Sequence, residues 1–207
     1  MKKIFLPYTV VRNNSIKLAH KIYKDGFIPD IIYVSLRGGA YVGNIISEYF
    51  KIVLKNKNPV LYAAVCSNSY QNIMTKSNDI QIDGWTYPPE SLKNGDKILF
   101  IDEIFDSGKS INYLCNIILT AGINREDLKI VVHDYKHFPD NPNNLTIFPD
   151  YFSVKHVIKN KEDDIWIHYM SHELQGLTNE ELEEHYYKED PELKDILLLA
   201  NPSSTPT

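Results

Sequence analysis

Short apolar runs alternate with amphipathic helical segments along the chain, and this alternation restricts the possible folds more than any other feature. The runs at 31–34 and 98–101 are four residues long, and each is followed by apolar residues at helical spacing. Strands that alternate with helices pair in parallel through right-handed crossovers. The pattern therefore predicts a three-layer α/β fold with a mostly parallel sheet flanked by helices. Ligands bind such sheets at the carboxyl ends of the strands.

Two further expectations concern the N-terminal half of the chain. Ser15 is a suitable N-cap, and we expect the first helix to begin there. Residues 66–96 form a long polar stretch with glycines and prolines, and loops of this length in a compact domain usually cover a functional site. We therefore predict a covering loop there.

The C-terminal half predicts two short strands and a terminal helix. The strands are expected at 151–154 and 165–167, and Thr178 with Glu181 matches a capping box that opens a polar helix. No internal repeat or linker interrupts the sequence. We predict a main domain at residues 1–177, followed by a helix and tail at 178–207.

Composition and charge exclude several classes of protein. Hydrophobic residues make up 43% and charged residues 24% of the 207 residues, which is typical of globular proteins. The net charge of -5 argues against nucleic-acid binding, because backbone phosphates favour clustered Lys and Arg. No apolar run is long enough to span a bilayer or to form a signal peptide. Cys66 and Cys115 fit no metal spacing. We therefore expect a cytoplasmic protein with reduced cysteines.

The second apolar run ends in a group of acids followed by small residues. Asp102 and Glu103 end the run, and Asp106 opens the segment 107–110, in which Gly108 permits a tight turn and two serines supply hydroxyls. The N–H groups at the start of the following helix suit a phosphate. Adjacent acids repel phosphate, but they accept hydrogen bonds from sugar hydroxyls or bind Mg²⁺. The segment predicts a site for a phosphorylated sugar.

A second strand end carries Arg37, Gly38 and Gly39. The glycines allow a ligand to approach the backbone closely, and the arginine offers a cation to another anionic group. The two anion sites lie on either side of the acid pair that can bind sugar hydroxyls. Together they predict a sugar ligand with phosphate at one end and pyrophosphate at the other.

The stretch ILFIDEIFDSGKS, residues 98–110, closely resembles the phosphoribosyl pyrophosphate signature of the type I phosphoribosyltransferases. Both have four apolar residues, two acids, two spacers and Asp-Ser/Thr-Gly-x-Ser/Thr. Residues 35–39 resemble the family's pyrophosphate loop, in which a non-proline cis peptide before the basic residue is usual. Ser69-Tyr70 resembles the mobile loop of the 6-oxopurine branch, and Asp150-Tyr151 with Trp166-Ile167 resembles its hood. The resemblance covers residues 10–175, and it implies that the main domain, residues 1–177, includes a small hood subdomain.

The resemblance implies a role for each matching residue. Asp106 would be the catalytic general base near N7 of the purine, and Lys136 would donate to the 6-oxo group. Trp166 would stack on the ring, and the Ile167 backbone would contact the 2-position. The sugar and its phosphates would be bound by Arg37, Gly38, Gly39, Ser69, Tyr70, Asp102, Glu103, Ser107, Gly108, Lys109 and Ser110. The ligands of a Mg²⁺ ion would be Asp102, Glu103 and Glu173.

The activity implied is that of a Mg²⁺-dependent pentosyltransferase of purine salvage. It would transfer 5-phosphoribose from phosphoribosyl pyrophosphate to hypoxanthine, guanine or xanthine and release pyrophosphate, as a homodimer or homotetramer. Two alternatives stay open: a non-catalytic regulator that senses phosphoribosyl pyrophosphate, and a transferase for another base. Glu103 stands where Asp is commoner, and residues 170–173 replace the Pro-Trp-Glu or Pro-Trp-Asp that often follows the hood strand.

Overall fold

The computed structural model describes residues 2–55, 59–69 and 80–200. Its strands are β1 (Lys2–Leu6), β2 (Ile31–Leu36), β3 (Leu61–Ser69), β4 (Ile80–Trp85), β5 (Ile98–Phe105), β6 (Leu128–His137), β7 (Tyr151–Val157) and β8 (Ile165–Tyr169). Its α-helices are α1 (Tyr8–Lys24), α2 (Gly39–Leu54), α3 (Lys109–Thr120), α4 (Asn179–Leu182) and α5 (Glu192–Ala200). A π-helical turn at Glu183–Tyr187 lies between the last two helices.

The main sheet has six strands in the order β4-β3-β2-β5-β6-β7. All neighbours pair in parallel except β4, which runs antiparallel to β3 at one edge. The mostly parallel sheet predicted from the alternation of strands and helices is therefore confirmed. Strand β5, which carries the acids, lies between β2 and β6 near the centre of the sheet.

Alternate residues of β5 enter different hydrophobic layers. Ile98 and Phe100 pack in the layer that contains Leu114 of α3. Leu99 and Ile101 pack in the opposite layer, with apolar residues of α1 and α2. All four strand side chains are inaccessible to solvent, and burial of each contributes about 1.5–3 kcal/mol. This two-sided burial explains why the run 98–101 is continuously apolar, and it confirms the three-layer architecture.

A second sheet has two strands and carries the predicted hood residues Trp166 and Ile167, so we call it the hood sheet. Strand β1 pairs in parallel with β8, from Lys2 opposite Ile165 to Leu6 opposite Tyr169. Ile167 and Tyr169 are buried in the same hydrophobic layer as α1 and α2. This packing holds the hood sheet against the main sheet and its helices.

Two expectations about local structure are wrong. Helix α1 begins at Tyr8, after Pro7, and Ser15 lies within it, where its buried hydroxyl donates to the Val11 carbonyl at 2.8 Å. Such a bond to the preceding turn satisfies a serine inside a helix as well as a cap would. The stretch 66–96 is also not one loop, because β3 continues to Ser69 and β4 pairs back onto it.

The chain divides into two compact units, Met1–Ser171 and His172–Thr207. In the second unit the capping box is confirmed: Thr178 Oγ1 accepts from the Glu181 N–H at 3.3 Å, and Glu181 Oε2 accepts from the Thr178 N–H at 2.8 Å. The predicted division after residue 177 stays a prediction. Among the helices described, none has both the length and the apolar character needed to cross a membrane.

Candidate active site

The predicted site segments come together at the carboxyl ends of neighbouring strands. Strands β2, β5 and β6 are adjacent and parallel, with Val34 opposite Ile101 and Ile104 opposite Asp134. The turns that follow β2 and β5 therefore lie at one edge of the sheet, beside the end of β6. This is the edge at which parallel α/β sheets bind their ligands.

The two acids at the end of β5 form a partly buried pair. Asp102 Oδ1 accepts a hydrogen bond from the Glu103 N–H at 2.9 Å. Burial, with added repulsion from Glu103, raises the pKa of Asp102 well above its usual range. Glu103 Oε2 is buried and has no hydrogen-bond partner in the described part of the chain. An unsatisfied buried oxygen of this kind costs about 1–3 kcal/mol, so hydroxyl donors or a cation at this position would be stabilising.

The loop after β2 packs directly on these acids. The peptide bond between Leu36 and Arg37 is cis, as the family resemblance implies for a pyrophosphate loop. A Cβ atom on Gly38 would collide with the carboxyl group of Glu103, and one on Gly39 would lie 2.7 Å from the Ile101 carbonyl oxygen. Both glycines are therefore required by the close approach of the loop to β5. Two motifs separated in sequence thus form one surface.

The segment between β5 and α3 has the form of a phosphate loop. Gly108 has a φ of 73°, and a Cβ atom there would collide with the Phe105 ring, so only glycine fits. Helix α3 begins at Lys109, and the N–H groups of its first turn have no carbonyl partners within the helix. The hydroxyl-bearing Ser107 and Ser110 flank these groups. The geometry suits an anion.

Asn112 fixes this loop in place, and the sequence reasoning missed it. Its amide donates to the carbonyls of Gly108 at 3.1 Å and Ile147 at 2.7 Å, while its oxygen accepts from the Ile147 N–H at 3.0 Å. Asn143 also donates to the Ser107 carbonyl at 3.0 Å. The signal available in the sequence was a polar Asn112 on the buried face of a helix. It links the phosphate loop to the segment between β6 and β7.

Lys136, near the end of β6, lies between two carboxylates. Its Nζ is 2.8 Å from Asp106 Oδ1 and 2.8 Å from Asp164 Oδ1. Burial alone would lower the pKa of Lys136, but its hydrogen bonds to the two acids raise it above the usual value. The structure thus brings together Lys136 and Asp106, which were predicted separately, and adds Asp164, which the sequence reasoning did not select.

A second buried carboxylate, Asp134, lies two residues before the lysine. It accepts from His133 Nδ1 at 2.6 Å, His156 Nε2 at 2.7 Å and the Tyr169 hydroxyl at 2.7 Å. Burial would raise the pKa of Asp134, but these donors together lower it. The Tyr169 hydroxyl is also 2.9 Å from the Glu103 carbonyl oxygen. This network joins the hood strand to the strand that carries the acid pair.

The predicted hood residues lie on two faces of β8. Successive strand residues point to opposite faces, so Ile167 lies on the face of Tyr169 and Trp166 on the other. Trp166 is 37% exposed, and Lys3 Nζ is 5.2 Å from the centre of its ring. Stacking of Trp166 on a base, and the contact of the Ile167 backbone with it, stay predictions.

Three other predicted residues are only partly placed. Ser69 is the last residue of β3, opposite Ile80, and Tyr70 lies outside the described residues. Glu173 belongs to the second unit, and its role as a metal ligand stays a prediction. Within residues 2–55, 59–69 and 80–200, no group of three or more His, Cys, Asp or Glu side chains could hold a metal ion.

No family model matches the chain, and no curated protein matches it in sequence. Solved structures do match. The purine phosphoribosyltransferase of Pyrococcus horikoshii aligns with a TM-score of 0.63 and 18% identity over 86% of this chain and 100% of its own. The xanthine-guanine-hypoxanthine phosphoribosyltransferase of Helicobacter pylori gives 0.54 and 15%, over 93% and 95%. A hypothetical protein from Neisseria gonorrhoeae with bound ppGpp gives 0.62 and 17%, over 84% and 91%.

The chain therefore has the fold of the type I phosphoribosyltransferases. At 15–18% identity the similarity establishes the fold, and the chemistry depends on the residues of the site itself.

Proposed function

We propose that this protein is a phosphoribosyltransferase of purine salvage, which transfers 5-phosphoribose from phosphoribosyl pyrophosphate to a 6-oxopurine and releases pyrophosphate. The supporting observation is that one edge of the sheet combines an acid pair, a phosphate loop, a glycine loop and a buried lysine beside a carboxylate. Two of the similar structures are named as purine phosphoribosyltransferases. We further propose that it acts in the cytoplasm as a homodimer or homotetramer.

The sugar half of the substrate is bound by the strand-end loops. Asp102 and Glu103 accept hydrogen bonds from the ribose hydroxyls, which satisfies the unpartnered Glu103 Oε2. The N–H groups and hydroxyls of residues 107–110 bind the 5′-phosphate. Arg37, which is exposed, and the backbone N–H groups of the two glycines after it, at the start of helix α2, bind the pyrophosphate.

A Mg²⁺ ion fits the same acids. Mg²⁺ is usually held by one or two carboxylates together with substrate oxygens, so Asp102 and Glu103 suffice without a complete protein cage. The buried, unpartnered oxygen of Glu103 is consistent with this role. When bound, the ion neutralises charge on the departing pyrophosphate. Glu173 stays a candidate for a further ligand.

In the reaction, a nitrogen of the purine forms a bond to C1 of the ribose while the bond from C1 to the pyrophosphate oxygen breaks. The transition state resembles a sugar cation, so the protein has to orient both partners and exclude water. Asp106, whose side chain is 61% exposed and therefore reachable by a ligand, takes the proton that the base loses near N7. Lys136 donates a hydrogen bond to the 6-oxo group and so fixes the orientation of the base.

A second candidate function is a regulator that binds phosphoribosyl pyrophosphate without transfer. The Neisseria protein of the same fold was solved with bound ppGpp, so this fold also occurs with a nucleotide bound in a protein of no stated activity. The presence of Asp106 and Lys136 as a contacting pair favours transfer, since a sugar sensor needs no base-binding lysine.

A panel of bases tests the proposal. The protein is incubated with phosphoribosyl pyrophosphate, Mg²⁺ and either hypoxanthine, guanine, xanthine or adenine, and pyrophosphate and nucleotide are both measured. We expect both products in equal amounts with at least one 6-oxopurine. Tight binding of the sugar diphosphate, measured by calorimetry, with no product from any base would support the regulator instead.

A further inference from the structure

The Lys136 ammonium group is held between two acids in a way that leaves hydrogen-bonding capacity for a ligand. A lysine has three N–H donors. In the described part of the chain, Lys136 uses two of them, for Asp106 and Asp164, so one N–H donor remains for a ligand. Asp164 Oδ1 also accepts from the Ile165 N–H at 2.9 Å. In the same described part of the chain, Asp164 Oδ2 accepts no hydrogen bond. A free donor and a free acceptor therefore lie side by side.

The position of Asp164 is fixed by an ordered turn. Asn160 Oδ1 accepts from the Asp163 N–H at 3.1 Å, and Asp163 Oδ2 accepts from the Lys159 N–H at 3.1 Å. Asp164 follows this turn directly and precedes the first residue of β8. The carboxylate is therefore presented by a hydrogen-bonded framework, which is what discrimination between similar ligands requires.

Asp164 also borders open space. It lines a cavity of about 200 Å³ together with the apolar Phe138, Pro142 and Ile158 and the polar Asp140, Lys159, Asn160 and Lys161. Small-molecule pockets combine apolar surface with polar groups at fixed positions, and both are present in this cavity. The cavity therefore gives a ligand access to the Asp164 carboxylate, whose Oδ1 is 2.8 Å from Lys136 Nζ.

We propose that Asp164 determines base specificity by accepting the N1–H of a 6-oxopurine while Lys136 donates to its 6-oxo oxygen. This inference rests on the proposed function. The 6-oxo oxygen and N1–H are adjacent on the purine ring, so they present an acceptor next to a donor and complement the lysine and carboxylate. Adenine presents the opposite order, an amino donor next to an acceptor nitrogen, and would leave both protein groups unpaired.

The size of the effect follows from the charge on the acceptor. A hydrogen bond to a buried or half-buried charged group contributes about 10- to 100-fold in equilibrium terms. Sites built to hydrogen-bond a substrate group reject analogues that lack it more strongly than apolar pockets do. We therefore expect kcat/KM of the wild-type protein for hypoxanthine to exceed that for 1-methylhypoxanthine by at least about 100-fold, because the methyl group removes the donor and meets the carboxylate.

The test combines this analogue with variants of one turn. Asp164→Ala should lower kcat/KM for hypoxanthine about 10- to 100-fold and reduce the discrimination against 1-methylhypoxanthine to below about 10-fold. Asp164→Asn keeps a carbonyl acceptor and should restore most of the discrimination. Glu162→Ala is the matched control, because Glu162 is an exposed acid of the same turn. It should leave both bases unchanged.

The outcomes separate the inference from the proposed function. If the wild-type protein transfers phosphoribose to no base, the proposed function fails and this inference with it. If the wild-type protein is active but uses hypoxanthine and 1-methylhypoxanthine equally, or prefers adenine, the assignment of Asp164 is overturned without any variant. The same holds if Asp164→Ala matches Glu162→Ala in its ratio of the two bases.

Discussion

Removal of the Asp134 carboxylate should destabilise the first unit more than any surface change. In Asp134→Ala, the His133 donor, which is 0% exposed, would lose its acceptor inside the core, while the Tyr169 hydroxyl would keep only the Glu103 carbonyl among its two acceptors. His156 is 17% exposed at its side chain, so water can replace the carboxylate there. One buried donor without an acceptor, together with the loss of the hydrogen bonds that Tyr169 and His156 make to a carboxylate, corresponds to about 3–5 kcal/mol of unfolding free energy.

Urea unfolding of the wild-type protein and the variant at pH 7 measures this difference. Asp134→Asn is the informative intermediate, because the amide oxygen still accepts from His133 and Tyr169 while the charge is lost, and we expect about 1–2 kcal/mol. Glu48→Ala removes an exposed acid that pairs with Lys51 and should change stability by less than about 0.5 kcal/mol. If Asp134→Ala lies within that range too, the buried network contributes nothing and the reasoning is refuted.

The pH dependence supplies an independent check with a defined sign. The pKa of Asp134 is lower in the folded protein than its usual value, so the unfolded chain binds its proton more readily. The stabilisation from this carboxylate is therefore fully present above the pKa of the unfolded state, about 4, and is lost as the pH falls through the folded pKa. The gap in stability between wild-type protein and Asp134→Ala should narrow below about pH 4. A constant gap across that window would contradict the assigned shift.

Three further predictions concern the site itself. Gly108→Ala combines a φ of 73° with a collision at the Phe105 ring and should cost about 2–4 kcal/mol by urea unfolding; wild-type stability would show that the turn adapts. Asp106→Asn should lower kcat at least about 100-fold and change the affinity for phosphoribosyl pyrophosphate, measured by calorimetry, less than about threefold; unchanged kcat would remove the general-base role. Tyr169→Phe deletes a hydroxyl that contacts Asp134 and the Glu103 carbonyl and should cost about 1–2 kcal/mol; a neutral result in thermal unfolding would show that water replaces it.

The sheet was predictable because its signal is local. The run 98–101 is buried on both sides, so it is apolar without interruption, and the acids that follow mark where the strand leaves the core. Strand β4 was missed because its residues alternate in burial within a polar stretch and gain their pairing from β3. The start of α1 was missed because the helix begins directly after Pro7, while Ser15 only resembles a cap.

The parts of the candidate site that lie within one short segment were predictable. The contacts between segments that are distant in sequence were not. The acids, the phosphate loop and the glycine loop each lie in a short motif. Asp164 is 28 residues from Lys136, and Tyr169 is 66 residues from Glu103, so no periodicity or spacing connects them. Their partnership arises from the parallel register of β5, β6 and β7 and from the hood strand, which is information that only the folded chain contains.

The parallel pairing of β1 with β8 has a consequence for how the protein is made. The two strands of the hood sheet are separated by about 160 residues, which a ribosome takes about 8–30 s to add at common rates of synthesis. During this interval β1 has no partner for its backbone groups, and an unpaired strand edge invites association with other chains. Lys2 and Lys3 lie at the start of that strand, and charged lysines on an edge oppose such association. The hood sheet therefore forms late in synthesis, and the lysines of β1 oppose association of this strand with other chains until β8 pairs with it.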